Sequence, residues 1–141
     1  MELLVVMAII GMVVAISAPS LARYATRLRL GAATRQVTSL LSLARSVAIS
    51  SHEEHAVILD AARRELRVVG VTSGTALDPV VRLPASVTVQ MMMGGQPASE
   101  TQFVFRPTGS LTGRSVSLVL ADRERQSTVT VSGTTGTVSV Q

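Results

Sequence analysis

The chain has 141 residues, of which 47% are hydrophobic and 16% charged; this is enough for one domain and one additional segment but not for two large cores. All 13 basic residues are Arg, and the net charge is +4. Because these Arg are dispersed and only three aromatic side chains are present, the composition disfavours a nucleic-acid-binding protein. The absence of Cys excludes disulfides, thiolate chemistry and Cys-ligated zinc.

The N-terminal segment, residues 3–16, is apolar on every face. A helix of this kind must be surrounded by lipid or protein. The segment is shorter than the roughly 20 residues that cross a bilayer, which leaves a signal-peptide core, a buried helix or a truncated membrane span. A signal peptide has basic residues before its apolar core and small residues after it, whereas this chain has Glu2 before and Ala18-Pro19 after. A signal peptide is therefore disfavoured.

An amphipathic helix is predicted downstream of Pro19, because apolar residues recur there in steps of mostly three or four. Pro inside a helix removes a hydrogen bond and crowds the preceding turn, so we expect a kink at Pro19. One long helix from about residue 3 to about residue 50 follows. The apolar positions of its amphipathic part are Leu21, Tyr24, Leu28, Ala32, Val37, Leu40, Leu41, Ala44, Val47 and Ala48.

After residue 50 the pattern changes to short β-branched runs separated by turn residues, which predicts a domain made mostly of strands. A hairpin is expected around residues 61–64, and residues 94–100 are predicted to form a flexible loop. Alternation at Val116, Leu118 and Leu120 predicts that one face of that strand is buried. The seven predicted strands are residues 55–60, 65–71, 86–92, 102–106, 115–121, 127–132 and 137–140.

Residue clusters that could carry chemistry have simpler interpretations. The sequence His52-Glu53-Glu54-His55 suggests a metal site, but its His residues are three apart and lie at a helix-to-strand boundary, so a solvated polar connection is preferred. No phosphate loop, nucleophile elbow or set of His and acids predicts catalysis, and no cofactor is expected. Residues 91–93, three consecutive Met, are interpreted as strand core or strand end, and residues 123–125 as the solvated tip of a hairpin.

The residues from Met1 to Gly11, followed by Pro19 and Ser20, resemble the N-terminal signature of type IV pilins and type II secretion pseudopilins. This resemblance covers about the first 22 residues. It implies that Glu2 is an assembly residue, which pairs with the N-terminal amine of a neighbouring subunit. The alternative for Glu2 is an acid resting at a helix start, where the helix dipole favours it.

Precursors in this family carry a short basic leader that the prepilin peptidase removes before a Phe-Thr-Leu stretch. Since neither is present here, the numbering is expected to start inside the mature protein. Restoring about three residues would bring the apolar segment near the spanning length. Without the leader, Arg23, Arg27 and Arg29 would lie on the outer side of the membrane, against the positive-inside tendency.

A second, looser resemblance spans most of the chain. Residues 43–49 at the helix end, residues 57–59, and the turn Phe105-Arg106-Pro107-Thr108-Gly109-Ser110 resemble the H-type minor pseudopilins and the related FimT-like minor pilins. DNA binding in FimT-like proteins is associated with a Gly-Arg-x-Arg motif near the C-terminus. The matching place here reads Gly136-Thr137-Val138-Ser139, which lacks both Arg, although Arg114, Arg123 and Arg125 remain as a possible basic edge.

These resemblances imply an α+β fold with a long pilin-like helix packed on an antiparallel β-rich domain. The expected divisions are a transmembrane or assembly segment at residues 1–22, an amphipathic helix at 23–50 and a β domain at 51–141. The expected function is that of a type II secretion minor pseudopilin, not an enzyme, which assembles with other pseudopilins or pilins in a hetero-oligomeric filament. The chain would be a single-pass protein of the bacterial inner membrane, with its β domain in the periplasm. The alternative is a FimT-like minor pilin acting in pilus assembly or DNA uptake.

Overall fold

A computed structural model describes the backbone of residues 2–141 and their side chains, except those of residues 18–23 and 25–27. One helix, α1 (Glu2–Ser51), precedes nine strands. At 1.5 Å per residue its 50 residues make it about 75 Å long. The strands are β1 (His55–Asp60), β2 (Glu65–Gly70), β3 (Ala76–Arg82), β4 (Thr88–Met93), β5 (Gln96–Pro97), β6 (Gln102–Phe105), β7 (Val116–Ala121), β8 (Gln126–Val131) and β9 (Val138–Val140).

The strands form two sheets, and every pairing that the structure describes is antiparallel. The first sheet has the order β3-β2-β1-β6 and the second the order β5-β4-β7-β8-β9. Leu111 connects the two sheets, because it forms a bridge with Phe105 and its N–H donates to Gly133 O at 2.9 Å. Helix α1 packs against strands of both sheets. The expected α+β fold is confirmed.

The core lies between α1 and the inner faces of the two sheets. Burying one such aliphatic side chain stabilises the folded state by about 1.5–3 kcal/mol. In β7 the predicted alternation is confirmed, with Val116, Leu118 and Leu120 buried. The helix contributes buried residues at steps of mostly three or four, namely Leu30, Ala33, Val37, Leu40, Leu41, Ala44 and Ala48.

The apolar positions predicted for the helix are buried or half-buried from Val37 onward, whereas those before it that the structure describes are exposed. Leu28 and Ala32 are exposed. At 100° per residue, Ala32 lies about 200° around the helix axis from the buried Leu30, on the side away from the domain. Tyr24, another residue of the predicted stripe, is also exposed, and the side chain of Leu21 lies outside the described residues.

Seven of the nine strands coincide with the seven predicted ones to within about two residues at most ends, and β3 and β5 were missed. Strand β3 contains Pro79, and Pro is unfavourable inside a sheet because it lacks an N–H; since β3 is the edge of its sheet, a missing N–H is tolerated there. Strand β5 has only two residues and lies in the segment predicted as a loop.

Pro19 lies within α1, but its side chain is outside the described part, so the kink stays a prediction.

Candidate functional site

The first part of α1 extends away from the domain, and every residue from 2 to 17 is exposed. The large apolar side chains of this segment have exposed fractions from 53% to 75%. Single exposed apolar residues are ordinary on a protein surface, but a contiguous apolar surface of this extent marks a contact with another molecule or with lipid. Residues 2–17 are called the apolar segment below.

Glu2 lies in the first turn of α1 and is exposed. A carboxylate at this position is favoured by the positive end of the helix dipole. Ser17, at the other end of the apolar segment, donates its hydroxyl to Val13 O at 2.8 Å, so this polar group is satisfied within the helix. Residues 3–17 contain no ionisable side chain, so Glu2 carries the only side-chain charge of the apolar segment.

Gly11 has no side chain and therefore leaves a notch in the middle of the apolar segment, and beyond its two chain neighbours and the nearby helix backbone no other atom lies within 4 Å of the place that a Cβ would take. Small residues of this kind allow a second helix to approach closely. Within the described part of the chain, no helix contains a stretch long and apolar enough to cross a membrane.

The end of α1 is locked to the domain by the turn that follows β6. Gly109 N–H donates to Arg106 O at 2.8 Å and closes this turn, and Arg45 Nε donates to Gly109 O at 3.3 Å. Gly136, with φ of 64°, approaches so closely that a Cβ there would collide with Gly109 O. Helix, turn and C-terminal loop are therefore held together at this junction.

The cluster predicted as a polar connection has a structural role. Glu53 Oε1 accepts hydrogen bonds from the N–H groups of Thr72 at 2.9 Å and Ser73 at 2.6 Å. The bond from Ser73 is the main reason that the pKa of Glu53 is lowered. His55 is buried, with Nδ1 3.0 Å from Glu53 O, while His52 is exposed. Among the described residues, no group of three or more His, Cys, Asp or Glu could hold a metal ion.

The remaining predicted features fall in the β domain. Met91, Met92 and Met93 form the end of β4 and are buried or half-buried, as predicted. Residues 123–125 form the exposed turn between β7 and β8, also as predicted. The place that matches the DNA-binding motif lies in the loop before β9 and in β9 itself, while Arg114 is exposed on the segment before β7.

Two grooves flank the packed part of α1, and no sequence pattern predicts either of them. One lies between α1 and the strands β8 and β9, with a volume of about 680 Å³; Arg35 and Arg125 both line it. The other lies between α1 and β3, with a volume of about 560 Å³. Arg35 and Arg125 are 90 positions apart in the chain, so only the fold brings them to one groove.

A long helix that packs its second half on an antiparallel domain defines a type IV pilin-like protein. The structure superposes on the minor pilin FimU of Pseudomonas aeruginosa with a TM-score of 0.67 and 16% identity, covering 84% of this chain and 92% of that one. It superposes on the minor pseudopilin EpsH of Vibrio cholerae with a TM-score of 0.64 and 18% identity, covering 80% and 96%. At these identities the likeness concerns the fold.

The family model described as "Type II transport protein GspH" matches residues 33–135. The chain therefore belongs to the GspH family. No curated protein matches the sequence significantly. The resemblance to H-type minor pseudopilins that the sequence suggested is confirmed.

Proposed function

We propose that this protein is a minor pseudopilin of a type II secretion system, a structural subunit that joins a filament through the apolar segment of α1. The observation that carries the proposal is the exposed, contiguous apolar surface of residues 2–17 on a chain whose domain belongs to the GspH family. Such a surface requires a partner, and the helices of other pseudopilins or pilins provide one of matching chemistry.

In this proposal the subunit is anchored in the inner membrane before assembly, with its β domain in the periplasm and the apolar segment among lipid tails. The prepilin peptidase would process the precursor. Glu2 would be the assembly residue, because a carboxylate in an apolar environment is costly unless it is paired with a cation. The N-terminal amine of a neighbouring subunit is such a cation. The role proposed for the chain is structural and not enzymatic.

The second candidate function is that of a minor type IV pilin, since the fold is shared with FimU to the same degree as with EpsH. DNA uptake is the less favoured form of this candidate, because the C-terminal segment at residues 136–139 carries no Arg. Deleting the gene separates the candidates. Loss of protein export with intact pili supports the secretion role, and loss of pili with intact export supports the pilus role.

Complementation then tests how the subunit acts. Wild-type protein should restore the lost phenotype, and Glu2→Ala should restore it poorly while accumulating to a normal level in membranes. Glu54→Ala is the matched control, because Glu54 lies between α1 and β1, away from the apolar segment. Normal filament assembly by Glu2→Ala would show that Glu2 is not the assembly residue.

A further inference from the structure

The groove between α1 and the second sheet, called the α1–β8 groove, has a lining that is basic at one side and aliphatic at another. Its volume is about 680 Å³, and its described lining residues include no carboxylate. Two Arg contribute to its lining, Arg35 from the helix and Arg125 from the turn before β8, and Arg35 also borders the groove between α1 and β3. The other lining residues are Leu30, Gly31, Thr34, Thr38, Ser39, Gln126, Ser127 and Val140.

No ion pair found among the described residues involves Arg35 or Arg125. From residue 3 to residue 52 the chain contains five Arg and no Asp or Glu. Asp122 and Glu124 share the turn with Arg125, but Asp122 Oδ1 accepts from the backbone N–H groups of Glu124 at 2.8 Å and of Arg125 at 3.0 Å, and neither acid lines the groove. The ion pairs found among the described residues, Asp60 with Arg63 and Glu65 with Arg82, lie on other parts of the domain.

The apolar part of the groove restricts what can bind there. Leu30 is buried at the base of the packed helix, and Val140 is half exposed on the edge strand β9. The hydroxyls of Thr34 and Thr38 donate to carbonyls one turn earlier in the helix, at 3.0 and 2.9 Å, which leaves only their oxygen atoms to accept. The two Arg, and not these hydroxyls, are therefore the charged groups of the groove that can bind an anion, and an anionic group beside an aliphatic one complements them and Val140.

We infer that the α1–β8 groove binds an acidic side chain, together with a neighbouring aliphatic side chain, from an adjacent subunit of the filament. Arg guanidinium groups bind carboxylates through paired, charge-assisted hydrogen bonds. This inference rests on the proposed function, because the occupant is another subunit. The groove lies where α1 leaves the domain, at the end of the packed part of the helix that is nearer to the apolar segment.

A nucleic acid is a poorer occupant. Duplex phosphates require a row of cations, whereas the turn at residues 122–125 carries two acids beside its two Arg and has no net charge. A single carboxylate needs only the two guanidinium groups that the groove supplies.

The absence of Cys allows a crosslinking test on the full chain. Ser39→Cys places a thiol on the exposed rim of the groove, where a heterobifunctional photocrosslinker can be attached in cells that assemble the filament. We expect crosslinks to another subunit, mapped to a peptide that contains Asp or Glu. Arg35→Glu and Arg125→Glu should each lower the crosslinked fraction about tenfold, and Arg67→Glu, an exposed charge reversal on β2, should not.

A photocrosslinker at Ile9 in the apolar segment separates the two proposals. If Ile9 crosslinks to sister subunits but Ser39 does not, or if the Ser39 crosslinks are unchanged by both Arg reversals, the groove inference is wrong and the proposed function stands. Crosslinks from Ser39 to nucleic acid or lipid would also overturn it. If neither position crosslinks to a subunit, the proposed function itself fails. If the Asp or Glu identified in the neighbouring subunit is replaced by Arg, the crosslinking lost in Arg125→Glu should be restored.

Discussion

The two ends of helix α1 share a backbone conformation but differ in what surrounds their side chains. From residue 2 to 17 every side chain is exposed, although all but Glu2, Gly11 and Ser17 are apolar side chains. From Leu30 onward one face is buried against two sheets and the other is polar or exposed. A helix needs one apolar face to pack on its own domain. Apolar residues on every face can be covered only by other molecules, which is why we assign assembly to the first part and folding to the second.

The largest expected effect comes from a pair of identical substitutions in the two parts. Leu41 is fully buried and Leu4 is 69% exposed. Leu41→Ala leaves a cavity and should lower the free energy of unfolding by about 2–5 kcal/mol, whereas Leu4→Ala should change it by less than about 0.5 kcal/mol. Urea unfolding of the full chain in detergent, followed by circular dichroism, measures both. Equal losses would show that the apolar segment is part of the folded core.

The junction that holds the packed part in place is tested by a second matched pair. Gly136 and Gly74 both have φ of 64°, but a Cβ on Gly136 would collide with Gly109 O, while one on Gly74 would meet nothing within 4 Å. Gly74→Ala should lower the free energy of unfolding by about 1–2 kcal/mol, the cost of placing a side chain in the left-handed conformation. Gly136→Ala should cost about 1–3 kcal/mol more, because the packed backbone must shift. Thermal unfolding compares them, and equal costs would contradict the close approach.

A smaller effect, dependent on pH, is expected at the connection between α1 and β1. The pKa of Glu53 is lowered, first by the backbone hydrogen bond from Ser73. A carboxyl whose pKa is lower in the folded than in the unfolded state stabilises the fold above its unfolded pKa of about 4.3, and that stabilisation is lost as the pH falls through the folded pKa. Wild type should therefore have a higher Tm than Glu53→Gln at pH 7.

The difference in Tm between wild type and Glu53→Gln should shrink as the pH is lowered below about 4. Glu54→Gln serves as the control. It makes the same chemical change one residue further along, whereas the hydrogen bonds from the turn after β2 go to the carboxylate of Glu53. A Tm difference that stays constant from pH 7 to pH 3 would mean that Glu53 does not hold the turn after β2.

The periodic parts of the fold could be predicted from the sequence. Alternation in β7 and the regular steps from Val37 to Ala48 reflect burial of one face, which is a local property of strand and helix. Strand β3 could not be predicted, because Pro79 interrupts the pattern and only its position at the sheet edge makes that residue acceptable. The place where α1 leaves the domain could not be predicted either. Leu30 is buried and Leu28 is exposed because of where the sheets end, which the helix sequence does not show.

The candidate site was predicted in part. The apolar segment and Glu2 are adjacent in sequence, so composition alone indicated a surface that needs a partner. Arg35 of α1 and Arg125 of the turn before β8 both line the α1–β8 groove. Each of these residues alone has the sequence context of an ordinary solvated Arg. Only the packing of α1 against the second sheet places them on one groove.

The central claim, that residues 2–17 are covered by other subunits, is tested most directly by photocrosslinking of the full chain in its host. A photoreactive residue at Ile9, which is 59% exposed, is compared with one at Val71, which is 51% exposed but lies in the turn after β2. We expect Ile9 to crosslink to sister subunits, Val71 to do so much less, and Glu2→Ala to reduce the Ile9 crosslinks. Equal crosslinking at Ile9 and Val71, or none at Ile9 in assembling cells, would contradict the account.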